Sequence, residues 1–227
     1  MPEVIFNGPA GRLEGRYSHS KIKNAPLALI LHPSPEHGGT MNNKITYNMF
    51  QGFAARGFSC LRFNFRGVGR SQGLFDQGEG ELSDAASALD WMQEINPNAP
   101  YVWVGGFSFG AWIGMQLLMR RPEIQGFISV APPANTEDFS FLAPCPTSGL
   151  VVHGGKDDVI EESFVSEFVE RLHQQKGIDI DYRVIDEANH FFHGYNDVII
   201  DHMHDHLNKA GAGRQVRLED MVTALAG

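Results

Sequence analysis

Gly106-Phe107-Ser108-Phe109-Gly110 decides how this chain folds, because of what stands on either side of it. Tyr101-Val102-Trp103-Val104 before it is a short apolar run, β-branched and aromatic, with the composition of a buried strand. From Ala111 to Arg120 the chain is apolar on nearly every face, ends in two arginines and is halted by Pro122, as a buried helix should be. A serine at such a strand-to-helix corner sits on a strained turn with its hydroxyl raised above the sheet edge. Glycines two positions to each side remove side chains that would collide across that turn. The first amide of the helix then lies beside the hydroxyl, aimed at any oxyanion that forms there.

Strand and helix signals alternate on both sides of this corner. Val4 to Phe6 and Arg12 to Tyr17 read as an antiparallel edge hairpin around Gly8-Pro9-Ala10-Gly11. Strands are expected at Pro26 to Leu31, Phe58 to Phe65, Ile124 to Ala131, Gly149 to His153 and Ile180 to Ile185. Helices are expected at Asn43 to Arg56, Glu81 to Ile95, Glu161 to Lys176 and Asn196 to Lys209. Repeated β-α alternation with single-faced helices means an α/β fold, a mostly parallel sheet covered on both sides. Right-handed crossovers bring the carboxyl ends of the parallel strands to one edge, where a site belongs. Residues 1–209 read as a single domain and 210–227 as a Gly-rich hinge with a C-terminal tail. The tail, Val216 to Ala226, has three readings: packed on the body, packed on a second subunit in a homodimer, or a frayed surface helix. The irregular segment from Pro132 to Pro146 is long enough for one wall of a pocket and too short for a cap domain.

The bulk composition is that of a soluble globular domain: 227 residues, 42% hydrophobic and 20% charged. A formal net charge of −9 argues against a nucleic-acid or anionic-membrane surface. Two cysteines, Cys60 and Cys145, make no disulfide framework and read as reduced thiols. Met1 to Gly8 lacks a basic then apolar leader, and no apolar run is long enough to span a bilayer, so a cytoplasmic location is expected.

A serine hydroxyl is a poor nucleophile at neutral pH. It needs a histidine base, and that imidazole needs an acid to fix its tautomer. The chain offers both in the order Ser, Asp, His. Gly154-Gly155-Lys156-Asp157-Asp158 follows one strand and Asp186 to Gly194 follows the last. Asp157 lies earlier in its turn and is the favoured acid; Asp158 has the alternative of capping the next helix. His190 directly follows the Ala188-Asn189 turn and is the favoured base, with His193 the competitor. For the oxyanion, one amide is expected from Phe109 and the second from the loop His32-Pro33-Ser34-Pro35-Glu36. Prolines have no N–H, which leaves Ser34 as first choice and Glu36 as second. Phe107, Phe139, Phe141 and Phe191 are core residues by default and candidates to line an acyl pocket.

With these residues in place the chain resembles an α/β-hydrolase from end to end. Arg66-Gly67-Val68-Gly69-Arg70-Ser71 is similar to that family's R-G-x-G-x-S turn, and His32-Pro33 stands where many members have His-Gly. His32 to Asn43 resembles the H-P-x-P…G-G-T-M-N-N loop of small, capless bacterial serine hydrolases, related to the dienelactone-hydrolase-like and peptidase-like branches. The resemblance implies an eight-stranded sheet without a cap domain and hydrolysis of a carboxylic ester, thioester or related acyl group. It departs from dienelactone hydrolases proper, which carry cysteine at the nucleophile position. A peptidase or amidase on the same triad is the second enzymatic reading, and a non-catalytic ligand-binding member the third.

Two other patterns are weaker. Gly67 to Gly73 approaches a dinucleotide fingerprint, but Leu74 to Gly80 intervenes before any helix. Asp201-His202-Met203-His204-Asp205-His206 suggests metal, yet only His202 and His206 share a helix face, so a solvated face is the better reading. No cofactor or metal is called for. The expected partners are a small-molecule acyl substrate and water, with no nucleic acid and no membrane.

Overall fold

The computed structural model describes residues 2–213. Strand β1 (Glu3–Gly8) pairs antiparallel with β2 (Gly11–Ser18), and β2 pairs antiparallel with β4 (Ser59–Phe63). Beyond them β3 (Leu27–Leu31), β5 (Val102–Phe107), β6 (Ile124–Val130), β7 (Gly149–Gly154) and β8 (Ile180–Ile185) run parallel. The order across the eight-stranded sheet is β1-β2-β4-β3-β5-β6-β7-β8. The chain steps from β3 outward to β4 and then returns to the other side of β3 for β5. The connections therefore diverge between β3 and β5, the kind of switch point at whose carboxyl ends open α/β sheets place their sites. The loops leaving those two strands carry Ser34 and Ser108.

Helices α1 (Lys44–Ala55) and α5 (Asn196–Lys209) cover one face; α2 (Glu79–Ile95), α3 (Phe109–Leu118) and α4 (Glu162–His173) cover the other. Alternation along β5 feeds both layers. Val102 and Val104 enter the α2-α3-α4 side, while Trp103 and Phe107 enter the α1-α5 side. The strand runs three residues past the apolar stretch that announces it, through Gly105 and Gly106 to Phe107. A Cβ at Gly105 would come to 3.3 Å from Phe53 and 3.6 Å from Met49, so the missing side chain lets α1 lie close on the sheet. Helix α3 begins at Phe109 rather than Ala111, which leaves Ser108 alone between strand and helix.

The β4-α2 connection differs in a similar way. Helix α2 begins at Glu79 rather than Glu81, because the Glu81 carboxylate accepts from the backbone N–H of Gly78 (2.8 Å) and of Asp76 (3.0 Å) and so caps the first turn. Arg66 then ties the loop down with a bidentate pair to the buried Asp84, Nε to Oδ2 at 3.0 Å and Nη2 to Oδ1 at 2.8 Å. The hydrogen bonds to Asp84 hold the guanidinium above its usual pKa range. Gly80 has no side chain because the guanidinium occupies that space: a Cβ there would lie 2.1 Å from Arg66 Nη1.

The histidine cluster on α5 is not a solvated face. His206 is buried, edge-on to Trp103 and 3.2 Å from Asp181, while His202 meets Arg183 at 3.0 Å. Among the described residues no three His, Cys, Asp or Glu side chains are grouped to hold a metal. Residues 211–213 of the Gly-rich hinge are fastened to the body, Ala212 O accepting from Arg56 and Gly213 N donating to the Tyr101 hydroxyl. The tail Val216 to Ala226 lies outside the described residues. Cys60 and Cys145 are free and buried, and burial raises the pKa of both thiols. No described helix is long and apolar enough to cross a membrane.

Removing Arg66 would leave Asp84 charged and enclosed. Arg66→Ala is expected to cost about 3–5 kcal/mol in urea denaturation. A loss below about 1 kcal/mol would mean that the pair does not hold the loop.

Candidate active site

Ser108 has φ 52° and ψ −119°, a left-handed conformation in a residue other than glycine. Such a residue costs about 1–3 kcal/mol and persists only when its surroundings dictate it. Here they do. Ser108 N donates to Val130 O at 2.8 Å, and Ser108 O accepts from Ala111 N at 2.8 Å. A Cβ on Gly106 would sit 2.3 Å from Gly110 O, and one on Gly110 would sit 2.4 Å from Leu31 O and 2.6 Å from His32 O. The two glycines therefore serve different contacts. The first clears the turn itself; the second lets the start of α3 touch the end of β3. Ser108 is left half-buried, just past the carboxyl end of β5.

The turn after β7 and the loop after β8 are locked together by backbone. A Cβ on Gly154 would lie 2.5 Å from Ala188 O, and one on Gly155 would lie 2.6 Å from Asp186 O. Gly155 N donates to Ile185 O and Lys156 N to Ala188 O, both at 2.9 Å. This packing presents Asp157 to His190, with Nδ1 to Oδ2 at 2.8 Å and both residues buried. A carboxylate only accepts, so Nδ1 carries the proton and Nε2 keeps its lone pair. Oδ1 of Asp157 accepts from Val159 N at 2.9 Å and Ile160 N at 2.8 Å. Burial opposes ionisation of Asp157, but the His190 hydrogen bond and the two amides outweigh it and hold the carboxyl below its usual pKa range. Asp158 is exposed and caps nothing: the residue before α4 is Glu161, whose side chain makes no capping bond. His193 is exposed, bonded to Asn189 and 5.8 Å from the Phe191 ring, with no carboxylate bonded to it among the described residues.

In the loop after β3, Ser34 leads into a single 3₁₀ turn at Pro35–His37. Its carbonyl accepts from His37 N at 3.2 Å and Gly39 N at 2.9 Å, while its own N–H has no acceptor among the described residues. The same holds for the N–H of Phe109, the first residue of α3. Glu36, the second choice, is exposed.

His32 organises this loop, and residue-level reading singled it out only through the His32-Pro33 resemblance. Fully buried, it lies 2.7 Å from Pro33 O through Nδ1 and accepts from Phe65 N through Nε2 at 3.1 Å. That bridges the loop after β3 to the end of β4. Burial pushes its pKa down to about 4, so it is neutral near pH 7.

The four phenylalanines separate. Phe107 is 1% exposed and lies under the His190 ring at 5.3 Å, and Phe139 is 5% exposed against Phe168 of α4 at 4.6 Å. Both pack as core side chains, one at the buried strand end and one against α4. Phe141 is half-buried on Phe139. Phe191 alone stands free, 54% exposed and edge-on to His190 at 5.2 Å. It borders a cavity of about 200 Å³ that is also lined by Lys44, His193 and Asn196. The 132–146 segment is anchored to α3 by Trp112 Nε1 donating to Asp138 O at 3.1 Å.

The α/β hydrolase fold model matches residues 36–147. An α/β serine hydrolase homologue from Coxiella burnetii is 33% identical, with a TM-score of 0.80, over 89% of this chain and 97% of that one. The chain belongs to the α/β hydrolases. A protein of unknown function from Agrobacterium tumefaciens is 62% identical over 92% of this chain and 96% of that one, with a TM-score of 0.90. A serine hydrolase without a lid from Xanthomonas campestris is 29% identical over 92% and 94%, with a TM-score of 0.82. Between β6 and β7 this chain has only the irregular 131–148 connection.

The neutral His32 makes a signed prediction. The unfolded chain takes up a proton near pH 6.5 and the folded one only near pH 4, so folding loses stability as pH falls through that window. The loss traceable to this group is about 3 kcal/mol at its full extent. His32→Gln, which does not titrate, is expected to lose correspondingly less between pH 7 and pH 4.5 in denaturant titrations.

Proposed function

We propose that this protein is a serine hydrolase that cleaves a small carboxylic ester or thioester through an acyl-enzyme. The observation that carries the reading is the buried 2.8 Å bond from His190 Nδ1 to Asp157, which leaves Nε2 as a free base, in a fold whose corner serine is held at φ 52°. In this reading His190 Nε2 takes the Ser108 proton as the hydroxyl oxygen attacks the acyl carbonyl. The amides of Ser34 and Phe109 receive the oxyanion, and both lack another acceptor among the described residues. As the tetrahedral intermediate collapses, His190 returns the proton to the departing alcohol or thiol and the acyl group stays on Ser108. Water then attacks the acyl-enzyme with His190 again as base, which releases the acid and restores the serine. Asp157 stays ionised throughout and offsets the imidazolium charge at each step.

The preference for a small acyl group rests on the absence of any lid between β6 and β7 among the described residues and on the burial of Phe107 and Phe139. Phe191 is the apolar surface that remains open beside the base.

Ser108→Ala is expected to lower kcat/KM for a short-chain aryl ester by at least about a thousandfold and to abolish labelling by a fluorophosphonate. Labelling at another residue, or activity retained in the variant, would overturn the reading. Asp157→Asn should cost about a hundredfold or more in kcat, whereas the exposed Asp158→Asn should stay within about twofold.

A further inference from the structure

We propose that His153, a residue the mechanism does not use, is the positioning residue that seats the Asp157 carboxylate and, by staying neutral, confines the catalytic proton to His190. The inference rests on the serine-hydrolase reading and deepens it.

His153 lies on β7 four residues before Asp157 and is fully buried. Its Nε2 is 2.9 Å from Ile160 O. A carbonyl only accepts, so Nε2 carries the proton and Nδ1 is a bare lone pair. That Nδ1 is enclosed and has no partner among the described residues. Ile160 is therefore gripped from both sides. Its carbonyl accepts from His153, and its amide donates to Asp157 Oδ1 at 2.8 Å. The turn that aims the carboxylate hangs on this bridge as well as on the backbone contacts with the base loop.

The same imidazole also faces the reacting pair. His153 Nε2 is 3.7 Å from Asp157 Oδ2, the oxygen that His190 holds at 2.8 Å. Two imidazoles thus flank one carboxylate oxygen, and only one of them can hold a second proton without a penalty. Protonating His153 would place a charged N–H at Nδ1, buried and with no acceptor. The charged or titratable groups acting on it are Asp157, His190 and Glu162. Burial lowers its basicity most; Ile160 O, Asp157 and Glu162 act the other way, His190 acts with burial, and the net direction is down. A cation at His153 would draw on the same carboxylate that stabilises the His190 imidazolium. A neutral ring there leaves Asp157 to a single partner.

The test compares His153→Leu, which fills the space but donates nothing, with His153→Gln, whose amide nitrogen reaches the place of Nε2. Turnover of a short-chain aryl ester is measured alongside wild type and Ser108→Ala. His153→Leu is expected to lose about tenfold to a hundredfold in kcat with KM changed by less than about twofold. His153→Gln should recover to within about threefold of wild type, because the donor to Ile160 O is restored. Imidazole ¹⁵N spectra of the wild-type protein should show His153 as the neutral Nε2-protonated tautomer at the pH of the turnover assay, with its titration below the usual imidazole range because the ring is buried. A folded His153→Leu protein with wild-type kcat overturns the inference, as does His153→Gln as impaired as His153→Leu. A charged or Nδ1-protonated His153 in the wild-type spectra overturns it too, even if the leucine variant does not fold. In each of these cases Ser108 still labels, so the serine-hydrolase reading stands. Failure of the wild type to label at Ser108 removes both.

Discussion

The site depends on backbone meeting backbone at distances that no side chain would permit. The carbonyls of Leu31 and His32 pass so close to Gly110 that a Cβ there would overlap them, and Ala188 and Asp186 crowd Gly154 and Gly155 in the same way. These contacts join the end of β3 to the segment after β5, and the end of β7 to the loop after β8, at one edge without side chains as spacers. Rigidity follows, because a backbone contact has no rotamers to relax into. The left-handed Ser108 is stable inside that frame: its amide bonds to β6, its carbonyl caps α3, and the strain is offset by the two elements it joins.

A second layer of support is polar and buried. The stretch after β4 would be a long, glycine-rich loop free to wander, yet nearly every turn of it is tied. Arg66 grips Asp84; Ser71 bonds Asn64 O and receives Glu14 N; Asn64 bonds Met41 N and the Glu14 carboxylate. Arg62 reaches back to Met41 O and Asn42 and lies over the rings of Tyr47 and Phe50. Phe65 N completes the pattern by donating to His32, which in turn holds Pro33. The R-G-x-G-x-S turn therefore stabilises the loop after β3 indirectly, through the buried polar groups between β2, β4 and the 32–43 segment. Such networks are costly when broken, since each member left unpaired is enclosed away from water.

Much of this was legible in the residues. Every strand and helix was placed by apolar periodicity and by proline or glycine punctuation, with ends shifted by a few residues where glycines or a capping acid spoke against the hydrophobic signal. Gly105 and Gly106 hide the last part of β5 because a strand buried on both faces needs space as much as it needs apolar surface. The order Ser, Asp, His was readable because each follows a strand. Asp157 and Asp158 were not separable with certainty by spacing, since adjacent residues in a turn differ mainly in direction. His153 carried no signal at all; one histidine at a strand end looks like any other until Ile160 folds back over it.

The sequence by itself determined the alternation of elements, and so the parallel sheet, the single reactive edge and the strand-to-helix serine, because periodicity and punctuation are local properties of the chain. Only the tertiary structure decided which neighbour of each pair faces inward. It chose Asp157 over Asp158 and His190 over His193 as the pair that meets, sent Phe107 and Phe139 into the core, and left Phe191 open. It also turned His206 from a surface residue into a buried partner of Asp181. Those choices rest on contacts between segments dozens of residues apart, and no local pattern records which loops will touch.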